Sequence, residues 1–346
     1  MNHKCASAPL LSICIATLNR SEYLQQTINK FAQQIRPSVE LVVLDGGSID
    51  DTQDIMLLFC TKYPWVRYFR ESIPSGIDGD YDKCVLNATG EYCWLFSDDD
   101  WPVPGALDMV LDACGEDHCF IFVDAEVRDK TMLHLLAAKR SSLTQNLLLS
   151  AQETDRVFEL AAPSLSFIGS CILKRHLWLA RDRESYDGYF FPHIAVLFQT
   201  PLPSSSLLIA KSLVAIRHGN ATWSAKAFRI WMFLWPQLIW KLQGISDRAK
   251  QSVTDRYPWK NPLTLLIARA KGIYTREIYL DLLLPLVPIG LTRLWLSVVS
   301  LIPGTILLAS MLLASRLIRS SRQYWIAEFK LSPYYRATWM SGLAKN

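Results

Sequence analysis

Short apolar runs alternate with amphipathic segments between Leu11 and Val127. The runs LSICIAT, VELVVL, YCWLF and CFIFV have the length and the β-branched or aromatic content of strands. Between the first two runs, SEYLQQTINKF carries apolar side chains at helical spacing, and Ser21 is its predicted N-cap. Strands that alternate with helices in this way favour an α/β fold with a doubly wound, mostly parallel sheet.

Polar segments follow three of the predicted strands. They read TLNR, DGGSIDD and SDDD. In open α/β sheets, ligands bind at the carboxyl ends of the strands. The three segments therefore predict a single site at one edge of the sheet.

The segment SDDD places Asp98, Asp99 and Asp100 directly after an apolar strand. Clustered carboxylates bind hard divalent cations such as Mg²⁺ or Mn²⁺, which neutralise a diphosphate leaving group. Because alternate side chains of an extended chain point to opposite faces, Asp98 and Asp100 converge on the metal while Asp99 faces a ribose, or the turn reverses these roles. The alternative is a solvated acidic turn, which the preceding hydrophobic run disfavours.

Composition narrows the class of protein. The 346 residues are 50% hydrophobic, and 36 basic and 32 acidic side chains give a net charge of +4. This balance does not favour binding to nucleic acid, and the length allows two domains or one domain with an appendage. The eight cysteines lack metal-ligand spacing, and the apolar segment after Lys4 is typical of a first strand. We therefore expect reduced thiols and catalysis on the cytoplasmic side.

The C-terminal part of the chain is strongly apolar. Leu294 to Ser315 is a stretch of roughly 22 residues without a charged side chain, and Pro303-Gly304 divides it. The flanking basic residues are Arg293, Arg316, Arg319 and Arg322. Because basic residues on both sides disfavour a single span, we predict a re-entrant hairpin, with the segment IWMFLWPQLIW at the membrane interface. A buried helical subdomain or oligomer contact, and a true span, are the alternatives.

Several segments together resemble glycosyltransferase family 2, the inverting enzymes with the GT-A fold. They are SICIATLNR, VELVVLDGGSIDDT and SGIDGDYDKCVLNATGEYCWLFSDDDWPVPGAL. The segment IRHGNATWSAKAFRIWMFLWPQLIW is similar to a feature of the bacterial abequosyltransferase-like, O-antigen and exopolysaccharide members. The resemblance covers roughly the first 240 residues. It implies a GT-A domain at residues 1–225, and the apolar character of the later chain predicts a helical, membrane-associating region at residues 226–346.

The resemblance assigns nucleotide-sugar contacts to the strand ends. Thr17, Asn19 and Arg20 match positions that contact the nucleoside, and a helix-capping loop is the alternative for Asn19 and Arg20. Asp45 matches the first residue of the family's DDGS motif, whereas Gly46 replaces the second acidic residue. In relatives that carboxylate accepts the uracil N3–H, so its loss leaves the donor base open.

The resemblance also assigns the metal and phosphate contacts. Asp100 matches the principal ligand of Mn²⁺ or Mg²⁺, Asp99 matches the ribose or second metal contact, and Asp98 is a weaker third candidate. Lys83 matches the lysine of the segment GIYDAMNKG that many relatives carry, and it is a candidate to neutralise phosphate. Its alternative is a place on a solvated helix face.

Two residues are candidates for the base that removes the acceptor hydroxyl proton. Relatives often carry Glu-Asp at a helix start where this chain has Pro192 and His193. His193 can act as a base near neutral pH, so we expect His193→Ala to abolish transfer. Asp187 is the second candidate, and a structural role is the alternative for the histidine. Arg217 and His218 are expected to bind the diphosphate or an anionic acceptor, unless they belong to an ordinary surface loop.

These assignments imply a metal-dependent inverting glycosyltransferase in surface polysaccharide or O-antigen synthesis. Its partners would be a nucleotide-sugar donor, a polyprenyl-diphosphate-linked glycan acceptor and membrane lipids at the cytoplasmic face of the bacterial inner membrane. A polyprenyl-phosphate glycosyltransferase, whose ionised acceptor needs no strong base, and a non-catalytic membrane scaffold are the alternatives. A nucleotidyltransferase is disfavoured because the first strand lacks a Gly-rich phosphate loop. The sequence leaves homo-oligomer formation open.

Overall fold

The computed structural model of the chain describes residues 8–220, 226–315 and 322–335. The described residues fall into two compact units. The first unit comprises those of Met1–Glu126, Ala138–Ile216 and Trp240–Val253, and the second comprises those of Val127–Ala137, Arg217–Ile239 and Thr254–Asn346. The sequence-based division between residues 225 and 226 stays a prediction.

Strands and helices alternate in the first unit, as the sequence pattern predicts. They are β1 (Leu11–Thr17), α1 (Ser21–Ala32), β2 (Val39–Asp45), α2 (Thr52–Lys62), β3 (Val66–Arg70), α3 (Gly76–Asn87), β4 (Tyr92–Phe96), β5 (Trp101–Pro102), α4 (Ala106–Cys114) and β6 (Phe120–Arg128). The elements that follow along the chain are β7 (Leu135–Ala137), β8 (Leu147–Leu149), α5 (Thr154–Ala161), β9 (Cys171–Lys174), α6 (Arg175–Leu179), α7 (Pro192–Phe198) and β10 (Ser206–Arg217).

The described strands form a mixed sheet in the order β3-β2-β1-β4-β9-β6-β10-β5, with β7 beside β6 and β8 beside β10. The predicted parallel arrangement is observed for β3, β2, β1 and β4. Strand β9 is antiparallel to β4 and β6, and β10 is antiparallel to β5 and β8. Thr17 pairs with Asp45, and Ile15 pairs with Phe96. The polar segments after β1, β2 and β4 therefore begin at the same edge of the sheet.

An aromatic core fixes the strand that carries the acidic segment. Phe31 of α1 packs edge-on against Trp94 and Phe96 of β4, with ring centroids 6.0 and 4.8 Å apart. All three rings are fully buried, and burial of each such side chain stabilises the fold by about 1.5–3 kcal/mol. The core therefore holds the end of β4 against α1.

The predicted N-cap Ser21 is the first residue of α1 and not its cap, and its backbone N–H donates to Asp50 Oδ2 at 3.0 Å.

Helices make up the later part of the chain. They are α8 (Ala227–Arg229), α9 (Trp235–Lys241), α10 (Asp247–Val253), α11 (Pro262–Ala270), α12 (Arg276–Ile278), α13 (Leu291–Leu301), α14 (Gly304–Ser315) and α15 (Arg322–Lys330). Wider π-helical turns at Ile230–Leu234 and Tyr279–Leu283 continue α8 and α12. Phe228, Tyr274 and Leu296 lie in one buried cluster of the second unit.

The apolar stretch near the C-terminus is bent. No single helix in the described ranges is long and apolar enough to cross a membrane, but α13 and α14 together satisfy the length and composition at a bend of 89°. The bend falls at Ile302 and Pro303, next to the predicted turn. Leu291, Leu294 and Ile306 of the pair are 85%, 61% and 59% exposed. The predicted flanking Arg316 and Arg319, and the side chain of Arg322, lie outside the described residues.

Candidate active site

The three aspartates after β4 are buried. Asp98, Asp99 and Asp100 are 6%, 8% and 3% exposed, which excludes a solvated acidic turn. The chain bends at Asp98 and Asp99 instead of staying extended, so the strand alternation used for the sequence prediction does not apply. Asp98 and Asp99 consequently turn toward the same neighbour, which is the side chain of Arg20.

Arg20 bridges two of these carboxylates. Its Nε atom lies 2.9 Å from Asp98 Oδ1, and its Nη2 atom lies 2.5 Å from Asp99 Oδ2. Burial raises the pKa of Asp98 to about 7, and the positive charge of Arg20 opposes that shift while the charge of Asp99 adds to it. The bridge thus holds the side chains of Asp98 and Asp99 against one cation at the strand edge.

Hydroxyl groups fix the orientation of the acidic segment. Thr17 Oγ1 donates to Asp98 Oδ2 at 2.8 Å, and Ser97 Oγ donates to Asp99 Oδ1 at 2.5 Å. Thr27 Oγ1 lies 3.0 and 2.9 Å from the carbonyl oxygens of Asp98 and Asp100 and donates to them. Sequence reasoning missed Thr27, although a threonine on the apolar face of α1 is itself a signal that a buried hydroxyl has a partner.

The carboxylate of Asp45 supports the loop after β2. Its Oδ1 atom accepts hydrogen bonds from the N–H groups of Gly47 and Ser48 at 3.1 and 2.7 Å. Its Oδ2 atom accepts the hydroxyl of Tyr68 at 2.6 Å and lies 3.4 Å from Arg70 Nε. Asp45 is fully buried, so its contacts hold the loop, and its predicted role in donor binding stays a prediction.

Asn19 links the loops that follow β1 and β2. Its φ of 54° is left-handed, a conformation that asparagine tolerates better than most residues. The Asn19 N–H donates to Ser48 Oγ at 2.8 Å, and Asn19 Oδ1 accepts the N–H of Ile49 at 2.8 Å. The predicted nucleoside contacts Asn19 and Arg20 therefore brace neighbouring loops of the strand edge.

A carboxylate from α3 lies beside Gly46. A Cβ atom added to Gly46 would be 2.9 Å from Asp80 Oδ2, which is closer than packed atoms allow. Asp80 is 5% exposed, and its Oδ1 atom accepts the hydroxyl of Ser75 at 2.5 Å. The space that a side chain at position 46 would need is thus filled by Asp80.

The predicted phosphate contact Lys83 forms an ion pair in this structure, with its Nζ atom 2.8 Å from Glu71 Oε2.

A cleft of about 510 Å³ lies beside the start of α3. Residues that line it include Asp78, Asp82, Trp178, Arg183, Tyr186 and Asp187. Asp82 Oδ1 accepts hydrogen bonds from Trp178 Nε1 at 2.8 Å and lies 2.6 Å from Arg183 Nε. Asp187 is exposed. The cleft therefore presents a solvent-accessible carboxylate among groups whose positions are fixed.

His193 lies inside the protein and is not among the described residues that line this cleft. It is 1% exposed, and its Nε2 atom lies 2.6 Å from the carbonyl oxygen of Leu165. Burial lowers the pKa of His193 to about 4, against the opposing effect of that hydrogen bond, so the ring is neutral near pH 7. The two predicted candidates for the base thus occupy different environments, and only Asp187 faces the cleft. The role of His193 as base stays a prediction that its burial disfavours.

Arg217 and His218 belong to the second unit and bind groups of that unit. Arg217 is 7% exposed, and its Nη1 atom donates to the carbonyl oxygen of Lys130 at 2.8 Å. His218 Nδ1 lies 3.6 Å from Glu328 Oε1, and Glu328 also pairs with Lys271. Burial lowers the pKa of His218, although Glu328 opposes the shift. Their predicted contacts with a diphosphate or an acceptor stay predictions.

The carboxylates of the acidic edge are the groups that the sequence predicts to hold a divalent cation. Within residues 8–220, 226–315 and 322–335, no group of three or more His, Cys, Asp or Glu side chains is arranged to hold a metal ion. One guanidinium, that of Arg20, lies against the carboxylates of Asp98 and Asp99. Mg²⁺ is often held by one or two carboxylates plus substrate phosphates. Asp98, Asp99 and Asp100 would therefore need oxygen atoms of a bound ligand to complete the coordination of Mn²⁺ or Mg²⁺, and their role as metal ligands stays a prediction.

Known proteins with similar sequences and folds carry related descriptions. Residues 12–167 match the sequence model of the family described as Glycosyl transferase family 2. The chain is 27% identical over 230 residues to abequosyltransferase RfbV of Salmonella typhimurium, covering 63% of this chain and 69% of RfbV. It is 27% identical over 115 residues to the GalNAc(5)-diNAcBac-PP-undecaprenol beta-1,3-glucosyltransferase of Campylobacter jejuni, covering 33% and 37% of the two chains. The crystal structure of S. aureus TarS 1–349 superposes with a TM-score of 0.52 at 15% identity, covering 94% of this chain and 91% of TarS.

Proposed function

Because this chain belongs to glycosyltransferase family 2, we propose that it transfers a sugar from a nucleoside-diphosphate donor to a lipid-linked glycan. It is a glycosyltransferase with a GT-A-like α/β fold. The proposed acceptor is a hydroxyl of a polyprenyl-diphosphate-linked oligosaccharide, and the proposed pathway is surface polysaccharide or O-antigen assembly. The name of the Campylobacter relative, which contains PP-undecaprenol, supports an acceptor of this kind.

The observation that supports the proposal most directly is the buried acidic edge around Arg20. The carboxylates of Asp98 and Asp99 converge on Arg20, and Asp100 is buried beside them at the end of β4. A diphosphate leaving group needs positive charge as its bond to the sugar breaks. We propose that Asp99 and Asp100 hold a Mn²⁺ or Mg²⁺ ion, which supplies that charge when it is bound.

We propose Asp187 as the base of an inverting displacement. The acceptor hydroxyl gives its proton to the Asp187 carboxylate while its oxygen forms a bond to the anomeric carbon of the donor. The bond from that carbon to the phosphate oxygen breaks on the opposite side, and the nucleoside diphosphate leaves with the electron pair. Asp187 is exposed on the cleft, whereas His193 is buried, and this difference favours Asp187.

We further propose that the bent pair of α13 and α14 attaches the protein to one face of a membrane, the cytoplasmic face of the bacterial inner membrane. Its exposed apolar side chains, such as Leu291 and Leu294, suit the interfacial region of a lipid bilayer. The 89° bend suits a hairpin better than a straight span. Carbonate extraction tests this attachment, and release of the full chain into the soluble fraction would contradict it.

A thermal-shift screen followed by a transfer assay tests the catalytic proposal. We expect one class of nucleoside diphosphate to raise the melting temperature of the full chain only when Mn²⁺ or Mg²⁺ is present. Asp100→Asn should lose that metal-dependent shift, whereas Asp187→Asn should keep it and lose transfer by about 100-fold. Asp108→Asn is the matched control, because Asp108 is a half-exposed partner of Arg36 in the first turn of α4.

Two outcomes would contradict the proposal. If neither nucleoside diphosphates nor nucleotide-sugars stabilise the protein with either metal, the chain is not a donor-binding enzyme, which would favour a scaffold. If Asp187→Asn transfers sugar at the wild-type rate, Asp187 is not the base. An acceptor that is already ionised, such as a polyprenyl phosphate, would give that second result, because such an acceptor needs no base.

A further inference from the structure

Asp78 of α3 is a buried carboxylate that has no part in the sugar-transfer steps proposed for Asp187 and the acidic edge. It lies in the first turn of the helix and is 6% exposed. Its Oδ2 atom accepts a hydrogen bond from the backbone N–H of Phe190 at 2.9 Å. Its Oδ1 atom is buried, and in the part of the chain that the structure describes no donor reaches it. A buried charge that is only partly compensated is costly, so its presence calls for a functional explanation.

The turn that Asp78 holds is strained. Gly188 and Phe190 have left-handed backbones, with φ values of 82° and 70°. Glycine adopts this conformation freely, but a bulky residue such as Phe190 adopts it only where its surroundings enforce it. This turn connects Asp187 directly to α7, which begins at Pro192. The hydrogen bond from Phe190 to Asp78 is one contact that keeps the turn in place.

Asp78 and Asp187 share one environment. Both residues line the cleft beside α3. Burial raises the pKa of Asp78 to about 6, and the charge of Asp187 adds to this shift, while backbone N–H groups of Phe190, Gly188 and Tyr189 oppose it. Asp78 therefore binds the turn through Phe190 at the wall of the same cleft that Asp187 faces.

We propose that Asp78 is a positioning residue, whose carboxylate accepts the N–H of Phe190 and thereby holds the turn at 188–190 and the carboxylate of Asp187 at the cleft. This inference rests on the proposed function for its catalytic consequence. Its structural part, that Asp78 fixes the turn, stands independently of which reaction the cleft supports.

Two variants weaken the proposed contact from opposite sides. Asp78→Asn keeps the shape of the side chain, removes its charge, and replaces the charged acceptor of the Phe190 N–H by a weaker neutral one. Gly188→Ala leaves Asp78 unchanged and disfavours the left-handed backbone, and its new methyl group would meet no atom within 4 Å. Glu153→Gln is the matched control, because the Glu153 carboxylate also accepts a backbone N–H, that of Ser150, but at the cap of another helix.

The first readout does not depend on activity. In the folded full chain, we expect Asp78→Asn and Gly188→Ala to speed amide hydrogen exchange of the peptide that covers residues 187–191 by about tenfold, and Glu153→Gln to leave it unchanged. If exchange in that peptide is the same in Asp78→Asn and the wild type, Asp78 does not hold the turn and the inference is wrong. This result is obtained even if no donor or acceptor is ever found.

The second readout separates positioning from proton transfer. We expect Asp78→Asn to lower kcat by about tenfold or more while the KM for the donor stays within twofold. In the Asp187→Asn background, Asp78→Asn should lower the residual rate no further, because it acts through Asp187. If Asp78→Asn lowers the residual kcat of Asp187→Asn by a further tenfold, Asp78 acts on its own. If the single variant Asp78→Asn has the kcat of the wild type, the catalytic consequence is refuted. A wild-type protein without transfer activity would instead contradict the proposed function.

Discussion

Replacement of Arg20 by methionine tests whether the guanidinium of Arg20 holds the acidic edge. The side chain of Arg20 is 14% exposed, and those of its partners Asp98 and Asp99 are 8% and 11% exposed. Methionine fills most of the same volume without a charge. The variant therefore leaves two neighbouring buried carboxylates without the cation that lies against both of them.

The expected loss of stability follows from this burial. Removing one partner of a buried ion pair costs about 3–5 kcal/mol, because the remaining charge stays desolvated and uncompensated. An exposed pair contributes about 0–1 kcal/mol. We therefore expect Arg20→Met to lower the free energy of unfolding by about 3–5 kcal/mol at pH 8. This pH lies above the pKa of about 7 to which burial raises Asp98 in the presence of Arg20, so the carboxylate is ionised in the wild-type fold.

Urea unfolding of the metal-free full chain, followed by tryptophan fluorescence, measures this loss. Arg36→Met is the matched control, because Arg36 lies 2.7 Å from Asp108 while the two side chains are 45% and 52% exposed. The control should lose less than about 1 kcal/mol. If Arg20→Met is no less stable than Arg36→Met, the guanidinium does not hold the acidic edge, and the reasoning about this site is wrong.

Three further changes test other parts of the structure. Gly46→Asp should lower the free energy of unfolding by about 3 kcal/mol, because the new side chain overlaps and repels the carboxylate of Asp80. In the Asp80→Ala background the same change should cost less, and urea unfolding measures both losses. Burial raises the pKa of Asp78 from an ordinary 3.8 to about 6, so the wild type loses stability as pH rises through this range. As pH rises from about 4 to about 8, the stability of Asp78→Asn relative to the wild type should therefore increase by about 2–3 kcal/mol. Equal pH profiles of urea unfolding would contradict this. The double change Leu291→Ser and Leu294→Ser should move the protein into the carbonate-soluble fraction, and unchanged pelleting would place membrane attachment elsewhere.

The sequence predicted the edge of the sheet well because local patterns determine it. Apolar runs followed by polar segments located the ends of β1, β2 and β4, and parallel pairing brings these ends to one edge. Thr17 and Arg20 lie next to the acidic segment there, as the motifs indicated. The antiparallel strands β9 and β10 gave weaker signals, because the segments from 143 to 215 have no clear periodicity.

Local sequence patterns do not predict contacts between segments that are far apart along the chain. Thr27 meets Asp98 across 71 positions, and Asp78 meets Phe190 across 112, and no local pattern reports such a partner. The burial of His193 did have a local signal. It lies in PHIAVLF, where every other side chain is apolar, and all seven residues of α7 are buried. The resemblance to a family motif suggested His193 as the base, whereas the apolar residues around it in the sequence indicated that its side chain is buried.

Helix α3 connects the two chemical regions of the first unit. Asp80 reaches the loop after β2 beside Gly46, Asp78 binds the turn next to Asp187, and Asp82 binds Trp178 at the wall of the cleft. These aspartates are spaced by two positions on a helix, so they point in different directions and each meets a different segment. A rigid helix that contacts the strand edge on one side and the cleft on another keeps the two at a fixed separation. Sugar transfer requires the acceptor oxygen to approach the anomeric carbon within a few tenths of an ångström of one geometry. Under the proposed function, we therefore expect the three acidic side chains at the start of α3 to act on transfer through alignment rather than through contact with the reacting atoms.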